Sequence, residues 1–406
     1  MITVEQATAI ILENALPLAT EHVPLMQSLG RILREDIAAD RDFPPFDRVT
    51  MDGIAIAFSA FERGQRTFFM ENIQAAGAPQ CRLMDAENCI EVMTGAMLPD
   101  GTDAVIRYED LEINDGKATI LIENVVFRQN IHQKAIDRRL GDVILRGSKR
   151  VSAAEIGTMA TVGKTHVLVS KLPRMAIVST GDELVEVGEM PLPYQIRRSN
   201  VFAVAALLRD FGTADLFHYR DDESVITEGV REILADYDVV ILSGAVSEGK
   251  YDFVPKVLSD LQVEKLFHKV SQRPGKPFWF GRRGDTVIFA LPGNPVSAFT
   301  CAVRYVVPFL LKQQQPLGGQ LSQNLGLLES FGLSARLTRD VIFKPDLTYF
   351  LPVKVQYTEG SVLATPSEGH GSGDLANLND ADGFMELPRG RVVFGENEAF
   401  SLFLYR

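Results

Sequence analysis

Three observations predict a multidomain α/β protein. Residues 173–318 alternate short buried-strand runs with helical periodicity, the pattern of a doubly wound parallel sheet. Residues 54–136 and 328–406 alternate in the strand manner between turn residues, as small β domains do. The chain has 406 residues, more than one hydrophobic core fills, so three or four domains are expected. The expected division is a helical domain over 1–45 and 138–172, a β domain inserted at 46–137, an α/β domain over 173–318 and a C-terminal β domain over 319–406.

Thr3 and Gln6 are spaced as a capping box opening a helix over 3–15, with Val4, Ala7 and Ile11 at i, i+3 and i+7. Residues 25–37 read as helical or extended. In 42–53 two prolines exclude helix, and Asp52-Gly53 favours a turn. Asp52 is therefore a turn residue or an exposed carboxylate. Strand-like runs follow at 54–58, 89–93, 104–108 and 118–122, and Thr94 ends a strand or touches a ligand. The pattern turns helical again over 141–172, with Ser152 and Glu155 as a second capping box. The two helical segments read as one body into which the β domain is inserted.

The α/β region reads as follows. A strand at 175–178 ends in Ser179-Thr180-Gly181-Asp182-Glu183, and Ser199 or Asn200 caps the next helix, with Gly212 past its end. A strand at 216–219 ends at Asp221-Asp222. Ile226, Val230, Ile233 and Leu234 then mark a helix. The run 239–242 empties into Ser243-Gly244-Ala245-Val246-Ser247, and 287–291 into Pro292-Gly293-Asn294-Pro295. Asn294 at N-cap and Pro295 at N1 open a helix to about residue 311. Beyond a linker at 318–320, residues 371–380 form one helical turn or two.

Composition excludes several classes. Hydrophobic content is 46% and mean hydropathy +0.04, as in a soluble enzyme. The net charge of −12 and pI of about 5.1 argue against nucleic-acid binding, which needs a basic face. The N-terminus lacks signal-peptide features and no run of about eighteen apolar residues is present, so no membrane span and a cytoplasmic location are expected. Cys81, Cys89 and Cys301 form no CxxC pair, and the six histidines lack ligand spacing. Cys301 and Trp279 read as core.

Candidate chemistry gathers at the strand ends of the α/β region. Asp182, Glu183, Asp221, Asp222 and Asp252 would crowd one sheet edge and repel one another unless a cation sits there. Mg²⁺ takes one or two carboxylates plus substrate phosphate. Arg273-Pro274-Gly275-Lys276-Pro277 puts two cations on a stiffened turn, suited to an oxyanion or simply solvated. The Asn294-Pro295 helix start, with Ser297 in its first turn, is a second anion site. Neither a Walker A loop nor GxGxxG is present.

Taken together, these segments resemble the MoeA / gephyrin E-domain family of molybdenum insertases. The matching stretches are Met51-Asp52-Gly53, Met93-Thr94-Gly95-Ala96-Met97-Leu98-Pro99, Ser179-Thr180-Gly181-Asp182-Glu183-Leu184, Ser243-Gly244-Ala245-Val246-Ser247, Tyr251-Asp252-Phe253, Pro274-Gly275-Lys276-Pro277 and Leu291-Pro292-Gly293-Asn294-Pro295-Val296-Ser297. The resemblance implies a helical domain with an inserted β domain, a MogA-like doubly wound α/β domain and a C-terminal β-barrel-like domain. It implies insertion of molybdenum from molybdate into adenylylated molybdopterin, with Mg²⁺ and release of AMP. It further implies a cytoplasmic homodimer with its site between subunits, in contact with the adenylyltransferase and acceptor molybdoenzymes. By the same resemblance, Asp52, Thr94, Glu183, Asp222 and Asp252 are catalytic, the last three as metal ligands. Thr180, Gly181, Asp182, Ser243, Gly244, Ser247, Pro292, Gly293, Asn294 and Pro295 hold the pterin and nucleotide. Arg273, Lys276, Pro277, Ser297 and Ser372 hold molybdate.

The chain departs from the family pattern at several positions. Ala245 stands where a second glycine is usual, Glu248 adds a charge, Arg273 replaces a lysine and Ile54 an aromatic. The family's Gly-Arg-x-x-Phe-x-Arg corresponds to Asp346-Leu347-Thr348-Tyr349-Phe350-Leu351-Pro352, without either arginine. A pterin-binding or scaffold paralogue without turnover is the rival reading, and the preceding adenylyltransferase step is a third.

Overall fold

The computed structural model describes residues 1–244, 246, 253–315, 333–358, 360–367, 369 and 371–406. The helix Val4–Glu13 opens on the expected capping box, with the Thr3 amide donating to Gln6 Oε1 at 2.9 Å and the Gln6 amide to Thr3 Oγ1 at 3.2 Å. Its buried face of Val4, Ala7 and Ile11 packs into the core of the α/β unit beside Val201 and Phe309. Backbone hydrogen bonds from Ile2 to Lys269 (3.1 Å) and from Ser271 to Ile2 (2.8 Å) fasten the helix there.

The regions read as helical contain a second helix, Ala153–Thr161, opened by the Ser152–Glu155 capping box. Around it the chain is largely extended. Thr20–Pro24 pairs antiparallel with His166–Ser170, and Ile37–Ala38 with Val143–Leu145. Gly163 at φ +73° follows the helix end, and the alternating Val167 and Val169 then bury against Val23, Leu33 and Met159. Residues 25–37 are likewise mostly non-helical.

The inserted region is a six-stranded sheet in the order Ala104–Arg107, Gly53–Ile56, Cys89–Val92, Thr67–Gln74, Lys117–Ile120, Leu111–Asn114. The four runs read from sequence are there. Thr67–Gln74 and Leu111–Asn114 are additional. Gly53 lies between Val92 and Arg107, where a Cβ would meet Ile106 O at 1.9 Å, so only glycine fits.

The α/β sheet runs Thr213–Tyr219, Arg174–Thr180, Val239–Ser243, Thr286–Leu291, Trp279–Arg283, Glu264–His268. The first four strands are parallel. Trp279–Arg283 runs antiparallel to both its neighbours, unlike the wholly parallel sheet expected. The cause is the two-residue turn Gly284-Asp285 between Arg283 and Thr286, which leaves no length for a crossover helix. Met175, Ile177, Val239 and Ile241 face one side with Val201, Val204 and the 295–313 helix. Ala176, Val178, Val240 and Leu242 face the other with Ile226, Val230 and Val257. Trp279 and Cys301 are buried in these cores, as read.

The helix Pro295–Gln313 passes through one wider π turn at Ala302–Val306. By length and hydropathy it is the one helix among the described residues able to cross a membrane, yet 83% of its apolar window is buried inside the fold. Its apolarity is that of a core helix.

The C-terminal strands close into a five-stranded barrel: Thr348–Thr358, Ser361–Pro366, Ser334–Leu337, Ala399–Leu404 and Gly383–Leu387, which pairs back to the first. Phe394, Met385, Leu402 and Val353 fill it. The segment 371–380 contains a single helical turn, Asn377–Asp380. The short strand Gln272–Arg273 of the α/β unit pairs parallel with Thr348 and Tyr349, so the two units share a sheet edge. Arg304 and Glu386 join them again through a 2.7 Å ion pair.

Candidate functional site

The parallel strands end in register. Ser179 lies opposite Ser243, and Ser243 opposite Leu291, so the turns after three strands come together at one edge. Such an edge is where ligands of open α/β sheets bind. Two clefts open there and share Asn294.

The first, about 560 Å³, lies between the α/β unit and the barrel. Arg273, Lys276, Pro277, Ser297 and Ser372, the five residues read as molybdate-binding, all line it. Pro292 and Asn294 join them. The cationic turn is held from beneath by Gln272, whose amide donates to Pro274 O at 3.1 Å and Gly275 O at 3.4 Å, and whose carbonyl accepts from Tyr305 Oη. Gly275, at φ +90°, has no room for a Cβ, which would sit 2.6 Å from Cys301 Sγ. Burial pushes the Cys301 thiol up to about 12, so it stays protonated behind the turn. The barrel wall is Leu347, Tyr349, Phe350 and Pro352.

The second cleft, about 430 Å³, sits over the strand ends. Thr180, Glu183, Ser243, Gly244, Gly293, Asn294 and Pro295 line it, with Arg197, Arg198, Ser199 and Asn200. Gly181 and Asp182 shape the adjoining turn without lining the cleft. A Cβ at Gly181, φ +142°, would fall 2.5 Å from Glu183 Oε2. Thr180 is 5% exposed and its hydroxyl has no hydrogen-bond partner. A buried donor without a partner costs free energy unless a ligand or water supplies one. The Glu183 side chain is exposed to the cleft.

Two capping expectations change. The helix after residue 197 begins at Ser199, and neither Ser199 nor Asn200 caps it. Asn200 instead reaches across to Gly293 O (2.7 Å) and Ser243 Oγ (3.2 Å), tying two strand-end turns together. Asn294 holds the N-cap position but makes no capping bond with its side chain. Its amide donates to Ser372 Oγ at 2.9 Å, while the Val296 amide donates to Ser372 O at 3.1 Å. One of the helix-start amides read as free for an anion is therefore occupied by the barrel.

Other nominated residues lie elsewhere. Asp222 caps the helix Glu223–Asp236, its Oδ1 accepting from the amides of Ser224 (2.9 Å) and Val225 (3.1 Å). Hydrogen bonds from the Ser224 hydroxyl and then these amides hold its carboxyl below the usual value. Asp252 and Ser247 fall outside the described residues, as do Ala245 and Glu248. Asp52 and Thr94 are together on the inserted sheet and line neither cleft. The Thr94 amide (2.6 Å) and hydroxyl (2.8 Å) both donate to Asp52 Oδ1, which lowers the carboxyl pKa. Beside them Tyr108, pushed up to about 12 by burial and then by its bond to Glu91, donates to Glu91. Among the described residues no three His, Cys, Asp or Glu side chains converge as a metal cage.

Sequence reading assigned no cleft role to Asn200, which it offered as a helix cap, to Arg197 and Arg198 in the second cleft, or to Tyr349 and Asn377 in the first. The run Arg197-Arg198-Ser199-Asn200 was the available signal, basic and polar at a helix start.

Comparison with known proteins matches three stretches of the chain. Residues 2–163 match the MoeA N-terminal region (domain I and II), 176–312 a probable molybdopterin binding domain, and 334–404 the MoeA C-terminal region (domain IV). A molybdopterin molybdenumtransferase of Synechocystis sp. is 42% identical over 386 residues, 93% of each chain. One from Bacillus subtilis is 31% identical over 95% of this chain and 90% of its own. The solved molybdopterin biosynthesis MoeA protein of Pyrococcus horikoshii superposes with a TM-score of 0.81 at 29% identity, covering 100% of this chain and 99% of that one. With likeness at this level along nearly its whole length, the chain belongs to the MoeA family of molybdopterin molybdenumtransferases.

Proposed function

We propose that this protein inserts molybdenum from molybdate into adenylylated molybdopterin and releases AMP, a step of molybdenum cofactor biosynthesis. The observation that carries the reading is the pair of clefts sharing Asn294. One offers two cations and the Ser297 and Ser372 hydroxyls to a tetrahedral oxyanion. The other offers strand-end turns, Thr180 and the Asn294-Pro295 helix start to a phosphorylated pterin nucleotide. Side by side they bring oxyanion and dithiolene within reach of each other, and most of the barrier falls to positioning and charge.

Thr180 Oγ1 and the turn amides would hold phosphate oxygens, and Arg273 and Lys276 would draw charge off molybdate. The donor set fits a Mg²⁺ held by one carboxylate and substrate phosphate better than an all-protein cage, because Glu183 faces the cleft with no converging cluster around it among the described residues. Glu183, with Asp222 and Asp252 as further candidates, would hold the ion, which offsets charge as the phosphoanhydride opens. Asp52 and Thr94 line neither cleft of their own subunit. We therefore place the working unit as a homodimer in which they face the α/β unit of a second copy. A cytoplasmic location, and contact with the adenylyltransferase and acceptor molybdoenzymes, belong to the same reading.

The test is AMP release from adenylylated molybdopterin in Mg²⁺ buffer, with and without molybdate. Molybdate-dependent release is expected. Tight binding without release would support a pterin-binding paralogue. Absence of binding would leave only the fold in common.

A further inference from the structure

We infer that Phe343 and Tyr349 are positioning residues for Arg273, holding its guanidinium toward the barrel-side cleft without neutralising it; the inference rests on the oxyanion reading of that cleft. Arg273 and Lys276 are the only charged side chains among its described lining residues. A cation in a cleft is usually kept in place by a carboxylate, which cancels its charge and consumes its N–H donors. Arg273 has no such partner among the described residues. Its guanidinium lies 6.0 Å from the centroid of Phe343, and Phe343 stacks on Tyr349 with centroids 4.3 Å apart and planes 10° from parallel.

The backbone fixes this arrangement. Arg273 pairs directly with Tyr349 across the parallel strands that join the α/β unit to the barrel. Phe343 is 7% exposed and packed in the barrel core, so the ring is a rigid platform. An aromatic face attracts a guanidinium through its quadrupole while leaving the in-plane N–H groups free. The five donors of a planar fork suit an oxyanion better than one ammonium does. Lysine would keep a charge near the ring but lose the fork. The apolar Leu347 and Pro352 on the same wall supply no cation, so Arg273 bears the larger share of anion recognition.

The experiment is calorimetric titration of molybdate into the full-length protein saturated with AMP. Arg273→Lys and Phe343→Leu are each expected to raise the molybdate Kd about two- to fivefold. In the double variant Phe343→Leu adds little, because the platform acts only through the guanidinium. Phe343→Trp retains tight binding. Equal penalties for Phe343→Leu with and without Arg273→Lys would show a merely structural role and overturn the inference. So would an unchanged Kd in Arg273→Lys, an exposed substitution that decides the matter even where Phe343→Leu fails to fold. Wild-type protein that binds no molybdate would sink the oxyanion reading itself, whereas wild-type binding with these variants unaffected sinks only the platform.

Discussion

The two clefts differ in how they are made. The barrel-side cleft is built around one short rigid turn, Arg273 to Pro277, clamped by Gln272 two residues from Pro274. The strand-end cleft is built by reach: Asn200 bonds Ser243 and Gly293, 43 and 93 positions away in the chain. A turn whose geometry is set by proline and glycine carries its own description. A cleft assembled by side chains crossing from one element to another does not. The clefts meet at Asn294, whose side chain serves the barrel while its backbone opens the helix.

The sharpest break between them is at Glu183. It lines the strand-end cleft with an exposed side chain, so the fold has little stake in it. Glu183→Gln is expected to cut turnover by about a hundredfold or more if it handles a proton or holds the ion. The melting temperature and molybdate binding in the neighbouring cleft should be unmoved. Wild-type turnover in this variant would remove Glu183 from the chemistry and leave the strand-end cleft a binding surface only.

The next test concerns the shared residue. Asn294→Ala is expected to cost about 1 kcal/mol through loss of the bond to Ser372. The distinguishing variant is Asn294→Ser. Serine is a good N-cap, so it would restore stability if capping mattered, but it is too short to replace the amide that reaches Ser372. Thermal melts should therefore place Asn294→Ser with Asn294→Ala. Recovery to the wild-type value would return Asn294 to the role of helix cap.

The same contrast explains what the sequence made legible. The barrel-side residues Arg273, Lys276, Pro277, Ser297 and Ser372 were all nominated, and all line one cleft. The parallel core was legible because Val239 to Leu242 and Val287 to Leu291 are apolar on both faces. The antiparallel edge was not, because Phe278-Trp279-Phe280 and residues 264–268 have no alternation that separates them from loop packing. Asn200 looked like a cap because Asn before an apolar run usually is one, and only tertiary contact redirected it. Residues 141–172 looked helical because one true capping box stood between short strands of three and five residues, too brief to show a period.

The smallest expected effect lies away from both clefts, at Asp52 and Thr94. Asp52 is exposed, and its pKa is lowered below the ordinary 3.8 first by the Thr94 amide and then by the Thr94 hydroxyl. A carboxyl depressed in the folded state contributes stability that is complete above its unfolded value and lost as pH falls through the folded one. Near neutrality Asp52 is therefore an anion, with Oδ1 occupied by both Thr94 donors. Thr94→Val removes the weaker cause and keeps the stronger, so the Asp52 pKa should rise partway toward 3.8 without reaching it. Carbon-13 titration of the Asp52 carboxyl reads this directly. Turnover near pH 7 should show no change from ionisation, and only an acid limb governed by Asp52 would move upward with the variant. An Asp52 titration unchanged by Thr94→Val would mean the hydroxyl does not hold the carboxylate, and that the two residues are neighbours on adjoining loops without acting as a pair.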